Sequence, residues 1–148
     1  MNKPRGFTLI ELLVVIAIIG ILMGLVTAGA QAARRRAAVT KTKGMIGSIE
    51  TAIAMYHGDM SVYPKTGTEE LVKALQDDPQ NPDWNGPYME FKHDDLKDGQ
   101  VIDSWGHPLV YVSVNAGSPE HRTSSYDLYS VGPNGVFDAG LGDDIVNW

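Results

Sequence analysis

Over residues 12–30 the chain carries no charge, and Thr27 supplies the only polar side chain in those 19 residues. At a helical rise of about 1.5 Å per residue, such a run is long enough to cross the hydrocarbon core of a bilayer. The pattern then changes. Met45, Ile46, Ile49, Ala52, Ile53 and Tyr56 recur at spacings of three and four, which predicts an amphipathic helix with one apolar stripe. The two halves read as a single helix over residues 7–57, with Gly58 as a plausible stop and Pro64 as a firm one. The first half is apolar all round and needs lipid or other helices; the second needs only one packed face. Gly20, Gly24, Gly29 and Gly44 weaken the helix and mark either local melting or close helix packing, which the pattern alone does not separate.

Beyond Pro64 the periodic segments shorten. Residues 68–75 predict a short helix capped by Thr68, with Glu69 and Glu70 placed favourably in its first turn. Residues 77–87, rich in Asp, Asn and Pro, predict a loop. Strands are expected at 109–113 and 125–130, with a weaker one at 100–103 and loops at 104–107 and 115–123. The expected fold is α+β: a long N-terminal helix, membrane-spanning in its first half, packed on a small antiparallel β-sheet.

Charge divides the chain. The formal net charge is −6, yet Arg34, Arg35, Arg36, Lys41 and Lys43 form a basic collar directly after the apolar run. From residue 44 onward, seventeen acids outnumber five bases. An acidic head repels phosphate, so no nucleic-acid partner is expected, and the collar is available to membrane or subunit contacts. The chain has no cysteine, which excludes disulfides and thiol-based metal or redox chemistry. Catalysis finds little support. His57, His93, His107 and His121 are scattered, no serine has a nucleophile-elbow context, and Asp94-Asp95 reads as solvated surface. Gly140-Leu141-Gly142 leads into acids rather than a helix, so it is not a nucleotide loop.

The residues before the apolar run hold the sharpest signal. Met1-Asn2-Lys3-Pro4-Arg5-Gly6 is short and basic, as a targeting segment would be, and Glu11 places one carboxylate just inside the run. A charge at the centre of a bilayer helix costs roughly 2.5–3.5 kcal/mol on insertion scales, which invites a functional role for Glu11. The alternative is a carboxylate that stays wet among headgroups. Ala28-Gly29-Ala30 could serve as a secretory cleavage site, releasing a soluble binding domain or enzyme that starts at Gln31. Against that, the run is too long and an acid interrupts its beginning.

Lys3-Pro4-Arg5-Gly6 followed by Phe7-Thr8-Leu9-Ile10-Glu11 and the apolar run resembles the class III leader and N-terminal helix of type IV pilins and type II secretion pseudopilins. The resemblance implies that a prepilin peptidase cuts between Gly6 and Phe7 and methylates the new amine of Phe7. It further implies that Glu11 meets the Phe7 amine of a neighbouring subunit, an ion pair that marks the register of a helical filament. A buried carboxylate and a buried ammonium, each costly alone, are tolerable as a pair. Phe7 and Glu11 are also expected one helical turn apart within a chain. Residues 103–108 and 126–132 resemble the head of the major pseudopilins as well. Implied partners are further copies of the chain, minor pseudopilins, and an inner-membrane assembly platform with its cytoplasmic ATPase. The implied location is the inner membrane, single-pass, with the head and the assembled filament in the periplasm. The basic collar conflicts with this orientation, because only Lys3, Arg5 and the α-amine lie on the near side of the run.

The boundaries that follow are a cleaved leader at 1–6, a transmembrane and polymerisation helix at 7–33, its amphipathic half at 34–58, and a globular head at 59–148 with a metal-binding loop near its end. That loop, Gly132 to Ile145, contains Asn134, Asp138, Asp143 and Asp144 among glycines. Ca²⁺ takes six to eight oxygens from carboxylates, amides and carbonyls, and glycines let carbonyls turn inward. The spacing is not that of an EF-hand, and a solvated acidic turn is the alternative. The family resemblance implies Ca²⁺ here. Asp144 is the foremost expected ligand, carbonyls near Ser130 and Val136 could complete the shell, and Asn134 stands where the family commonly has Asp. The function implied is a structural subunit of a type II secretion pseudopilus that helps export folded proteins across the outer membrane. The alternative is a type IV pilus subunit for adhesion, motility or DNA uptake; such pilins often close their heads with a disulfide, which this chain cannot form.

Overall fold

The structure, a computed structural model, describes residues 6–148 apart from the side chains of residues 25–28. Most of the leader and its basic residues Lys3 and Arg5 thus lie outside the described residues. The chain divides into two compact units, Met1–Ala37 and Ala38–Trp148, each described by itself.

Helix α1 runs Leu9–Met60, through Gly58 rather than stopping there. It ends where Ser61 adopts a left-handed φ of 55° and its N–H donates to the His57 carbonyl at 2.9 Å. A β-carbon at Gly58 would meet nothing within 4 Å, so the position tolerates helix, and the true break is the turn that leads to Pro64. Helix continues through Gly20, Gly29 and Gly44 as well, where an added β-carbon would also meet no atom of this chain within 4 Å.

In the first unit the side chains of Leu9, Ile10, Leu12, Leu13 and Ile16 through Met23 are exposed around the helix, as the all-round apolar pattern requires of a segment with no partner in its own chain. α1 is long and apolar enough to cross a membrane by length and composition.

In the second unit the predicted stripe is the floor of the core. Ile46, Ile49, Ala52, Ile53 and Tyr56 are buried, Met45 is half-buried, and the stripe starts earlier than expected with Thr42, which is fully buried. The Thr42 hydroxyl donates to Ser104 Oγ at 3.0 Å and accepts the Ser104 N–H at 3.2 Å, which allows a polar residue inside. Lys41 of the collar pairs with Asp95 at 3.0 Å.

Helix α2, Thr68–Gln76, lays Leu71, Val72 and Leu75 into the same core. Its capping differs from expectation. Gly67 precedes the helix with a φ of 112°, and the Thr68 hydroxyl donates across to the Leu109 carbonyl instead of capping the helix. Glu69 and Glu70 do occupy the first turn, and Lys73 pairs with Glu69 at 2.8 Å.

Two antiparallel sheets form where one was expected. β1 (Leu96–Lys97) and β2 (Gln100–Val101) make a two-residue hairpin across Asp98-Gly99, both at positive φ as such turns require. The weak strand at 100–103 therefore stops at Val101 and joins the second sheet's entry only through a bridge from Ile102 to Pro108. The second sheet has the order β3-β4-β5, from Val110–Ser113, Tyr126–Ser130 and Ile145–Val146. Tyr111 faces Leu128 and Ser130 faces Ile145 in register. Ile145, read as loop from sequence, is thus the start of a strand.

β4 lies centrally, and four of its five residues are buried. One of them is Asp127. Its Oδ2 accepts the amides of Glu120 (2.8 Å) and His121 (3.0 Å), and its Oδ1 that of Arg122 (2.8 Å). The His121 ring adds a contact at 3.4 Å. Arg122 and Asn147 in turn reach Glu50 on α1 at 3.0 and 3.3 Å. Burial pushes the Asp127 carboxyl upward, but the amides of His121, Arg122 and Glu120 together outweigh it and hold its pKa below the usual range. A depressed carboxylate contributes stability above its unfolded pKa of about 3.9, and loses it as pH falls through the folded value. Asp127→Asn should cost about 2 kcal/mol near neutral pH in urea melts, because an amide cannot accept three amide N–H groups with ionic strength. The gap from wild type should close as pH drops below about 4. A gap that stays constant down that range would show that Asp127 is not held ionised.

Candidate functional site

Two places in the chain are candidates for functional chemistry, one in each unit. The first is the start of α1. The four leading N–H groups of a helix have no partner within it, and Thr8 with Glu11 satisfies two of them reciprocally. The Thr8 amide and hydroxyl both donate to Glu11 Oε2 at 2.8 Å, and the Glu11 amide reaches Thr8 Oγ1 at 3.4 Å. The Thr8 carbonyl accepts the Leu12 amide at 3.3 Å. This is a capping box, and its signature, Thr-x-x-Glu before an apolar run, was legible in the sequence but unread there. Phe7 consequently stands outside the helix and exposed, not one helical turn from Glu11. Glu11 turns back to cap its own helix at Thr8. Gly6 and Phe7 precede the helix outside any regular element and are exposed.

The second place is the loop between β4 and β5. Its entry is fastened by a buried carboxylate that sequence reasoning missed. Asp103 Oδ1 accepts the amides of Trp105 and His107, each at 2.9 Å, and Oδ2 accepts the Ser130 hydroxyl at 2.6 Å. Ser130 Oγ accepts the Gly132 amide at 3.0 Å, and His107 Nδ1 donates to the Gly132 carbonyl at 2.9 Å. Gly132 is required at this crossing: its φ is 66°, and a β-carbon there would lie 2.3 Å from the Asp143 carbonyl oxygen. Asp103 and Ser130 are 27 residues apart, so no local pattern announces the pair.

All four expected ligand residues come together in one hydrogen-bonded loop. Asp144 Oδ2 accepts the amides of Asp138 at 2.8 Å and Gly140 at 3.0 Å. Asp143 Oδ2 accepts the Asn134 amide at 3.1 Å. Asn134 donates from Nδ2 to Asp138 Oδ2 at 3.0 Å and accepts the Val136 amide on Oδ1 at 2.7 Å. Among the described residues no three carboxylate or imidazole side chains converge as a ready-made metal shell. One oxygen nevertheless points to a cation. Asp144 Oδ1 is shut off from solvent and has no hydrogen-bond partner. Buried charged acceptors are almost always satisfied, and a hard cation coordinated by oxygen would satisfy this one. The donor set of carboxylates, an amide and loop carbonyls is chemically suited to Ca²⁺.

The comparisons cover both places. The family model described as type II secretion system protein G matches residues 30–148, and that for the prokaryotic N-terminal methylation motif matches residues 1–27. The chain is similar to type II secretion system core protein G of Pseudomonas aeruginosa, 38% identical over 99% of this chain and 96% of that protein. Its namesake from Escherichia coli K12 is 39% identical, over 99% of this chain and 92% of that protein. Among solved structures, the major pseudopilin from the type 2 secretion system of enterohaemorrhagic Escherichia coli is similar with a TM-score of 0.49 and 25% identity, covering 80% of this chain and 92% of that one. The chain belongs to the type II secretion system protein G family.

Proposed function

We propose that the chain polymerises through the start of α1 into a periplasmic pseudopilus that helps export folded proteins across the outer membrane. The family is one of structural subunits and not of enzymes, so the chain supplies contacts, not chemistry. Its membership implies self-assembly and membrane association, and does not favour a type IV pilus subunit. The observation that carries the finer reading is the exposed apolar surface of residues 9–23, which lies within the segment matched by the methylation-motif model. Such a surface must be covered by lipid before assembly and by neighbouring helices after it.

In this reading a prepilin peptidase cuts between Gly6 and Phe7, which lie accessible ahead of the helix, and methylates Phe7. The cationic amine so formed needs a partner in an apolar setting. Glu11 suits that role even while it caps its own helix. A carboxylate offers about four acceptor sites, and the capping box engages only one of its oxygens. The amine of one subunit can then dock on the capped Glu11 of the next, which marks a single axial register. Gly20, Gly29 and Gly44, where an added β-carbon would meet nothing within 4 Å, suit close approach of neighbouring helices. The assembly platform, its ATPase and minor pseudopilins are the further partners. The head lies in the periplasm, and the orientation overrides the basic collar.

For the loop, Ca²⁺ is held by Asp144 through its unpartnered oxygen, with Asp138, Asp143 and Asn134 as candidate co-ligands. The ion closes the loop in a head that has no disulfide. Asp103, Ser130 and His107 position the loop's entry beneath it.

Three measurements test this reading. Mass spectrometry of the membrane-extracted protein should show a chain starting at methylated Phe7; a chain starting at Gln31 refutes it. Glu11→Ala should be cleaved normally and assemble poorly. Glu11→Gln retains the capping geometry without charge, so if it forms normal filaments the ion-pair register is wrong and only the cap matters. Ca²⁺ at a hundred times its Kd should stabilise the head by about 2.7 kcal/mol in thermal melts, and Asp144→Asn should abolish the gain. A melting midpoint indifferent to chelator would remove the ion from the account.

A further inference from the structure

Asparagine precedes glycine twice in this chain, at Asn85-Gly86 and Asn134-Gly135, and both asparagines are exposed. Glycine leaves its own amide nitrogen least shielded, so these are the two places where backbone attack on a preceding side-chain amide meets the least steric hindrance. We propose that Asn134 is a self-modification site, at which the Gly135 amide nitrogen attacks the Asn134 side chain and converts it to a carboxylate. The step needs only water. Gly135 N bonds to Asn134 Cγ as its proton passes to solvent base; the Cγ–Nδ2 bond breaks and the side-chain nitrogen leaves as ammonia. Water then opens the cyclic imide to aspartate or its β-linked isomer.

The local geometry separates the two sites. The bond from the Val136 amide to Asn134 Oδ1, at 2.7 Å, folds the side chain forward and closes a ring around Gly135. That ring holds Cγ near the Gly135 nitrogen and polarises its carbonyl toward attack, and proximity of this kind supplies much of the barrier lowering in intramolecular reactions. Gly135 N is otherwise held only by a long 3.3 Å bond to the Gly132 carbonyl. At Asn85 the side-chain amide points backward, donating to the Asp83 carbonyl at 3.4 Å. The Trp84 ring also walls off Gly86, standing 2.3 Å from where a β-carbon would lie.

Conversion reverses one contact. The Asn134 Nδ2 donor that faces Asp138 Oδ2 at 3.0 Å becomes an oxygen facing an oxygen. The loop gains a negative charge and loses a bond, which makes its closure more dependent on a cation. This consequence rests on the Ca²⁺ reading above; the conversion itself does not.

The test is peptide mapping of the full chain in detergent after prolonged incubation in mildly alkaline buffer, with a parallel sample unfolded in denaturant. The Asn134 peptide of the folded chain should accumulate aspartate and isoaspartate several-fold faster than the Asn85 peptide, while the two converge when unfolded. Equal or faster conversion at Asn85 in the folded chain overturns the proposal, as does an Asn134 that stays intact while the unfolded chain converts. Gly135→Ala is a poor control, since φ is +70° and its β-carbon would lie 3.1 Å from His107 Nε2. Asn134→Gln keeps the amide and should abolish the gain at that peptide. Melts of Asn134→Asp in chelator and in Ca²⁺ read the consequence separately. A midpoint below wild type in chelator that recovers with Ca²⁺ supports it; an equal gap in both removes the cation while the peptide map still judges the conversion.

Discussion

Loops in this head are closed by carboxylates bound to backbone amides. Asp127 gathers residues 120–122, Asp103 gathers Trp105, His107 and Ser130, and Asp144 gathers Asp138 and Gly140. Each acts at or beside β4: Asp127 lies within it, Ser130 ends it, and Asp144 precedes the strand that pairs with it. An ionised acceptor makes hydrogen bonds roughly twice as strong as a neutral one, so a few such residues can order long loops in a chain without cysteine. The same charge is destabilising wherever it stays unsatisfied away from water. Asp127 and Asp103 have partners on both oxygens, and Asp144 has them on one. That asymmetry sets the loop 132–144 apart, because it alone of the three encloses a carboxylate oxygen with no hydrogen-bond partner.

Helix α1 shows how one secondary structure serves two solvents. Residues 46–56 offer a narrow stripe that a small sheet and a short helix can cover. Residues 9–23 are, Glu11 apart, apolar on every side and exposed. The hydrophobic effect settles the first within a single molecule; it leaves the second to lipid and to other copies. The capping box at Thr8 and Glu11 belongs to the second half of that division. It defines where the helix begins and leaves one Glu11 oxygen outside the box, the oxygen on which the proposed subunit amine docks.

Long periodic features were legible in sequence because many residues repeat one signal. The stripe on α1, the first-turn glutamates of α2 and the two longer strands all emerged within a residue or two. Short or crossed features were not. β1 and β5 are two residues each, too brief for alternation to register, and the hairpin signature at Asp98-Gly99 went unread. Thr68 looked like a cap and instead spans 41 residues to the Leu109 carbonyl. Thr8 and Glu11 carry a capping-box signature whose acid also sits at the edge of an apolar run, so one residue fits two readings.

The sequence by itself determined the apolar helix, its leader, the acidic head and the cluster of oxygen side chains between the last two strands. Each is a property of neighbouring residues, and composition and spacing express it directly. Only the tertiary structure decided which acids are buried and what they hold. Asp127, Asp103 and Asp144 look alike in a chain of eighteen acids. They part company because folding brings backbone amides to some carboxylate oxygens, and leaves one oxygen of Asp144 enclosed with none.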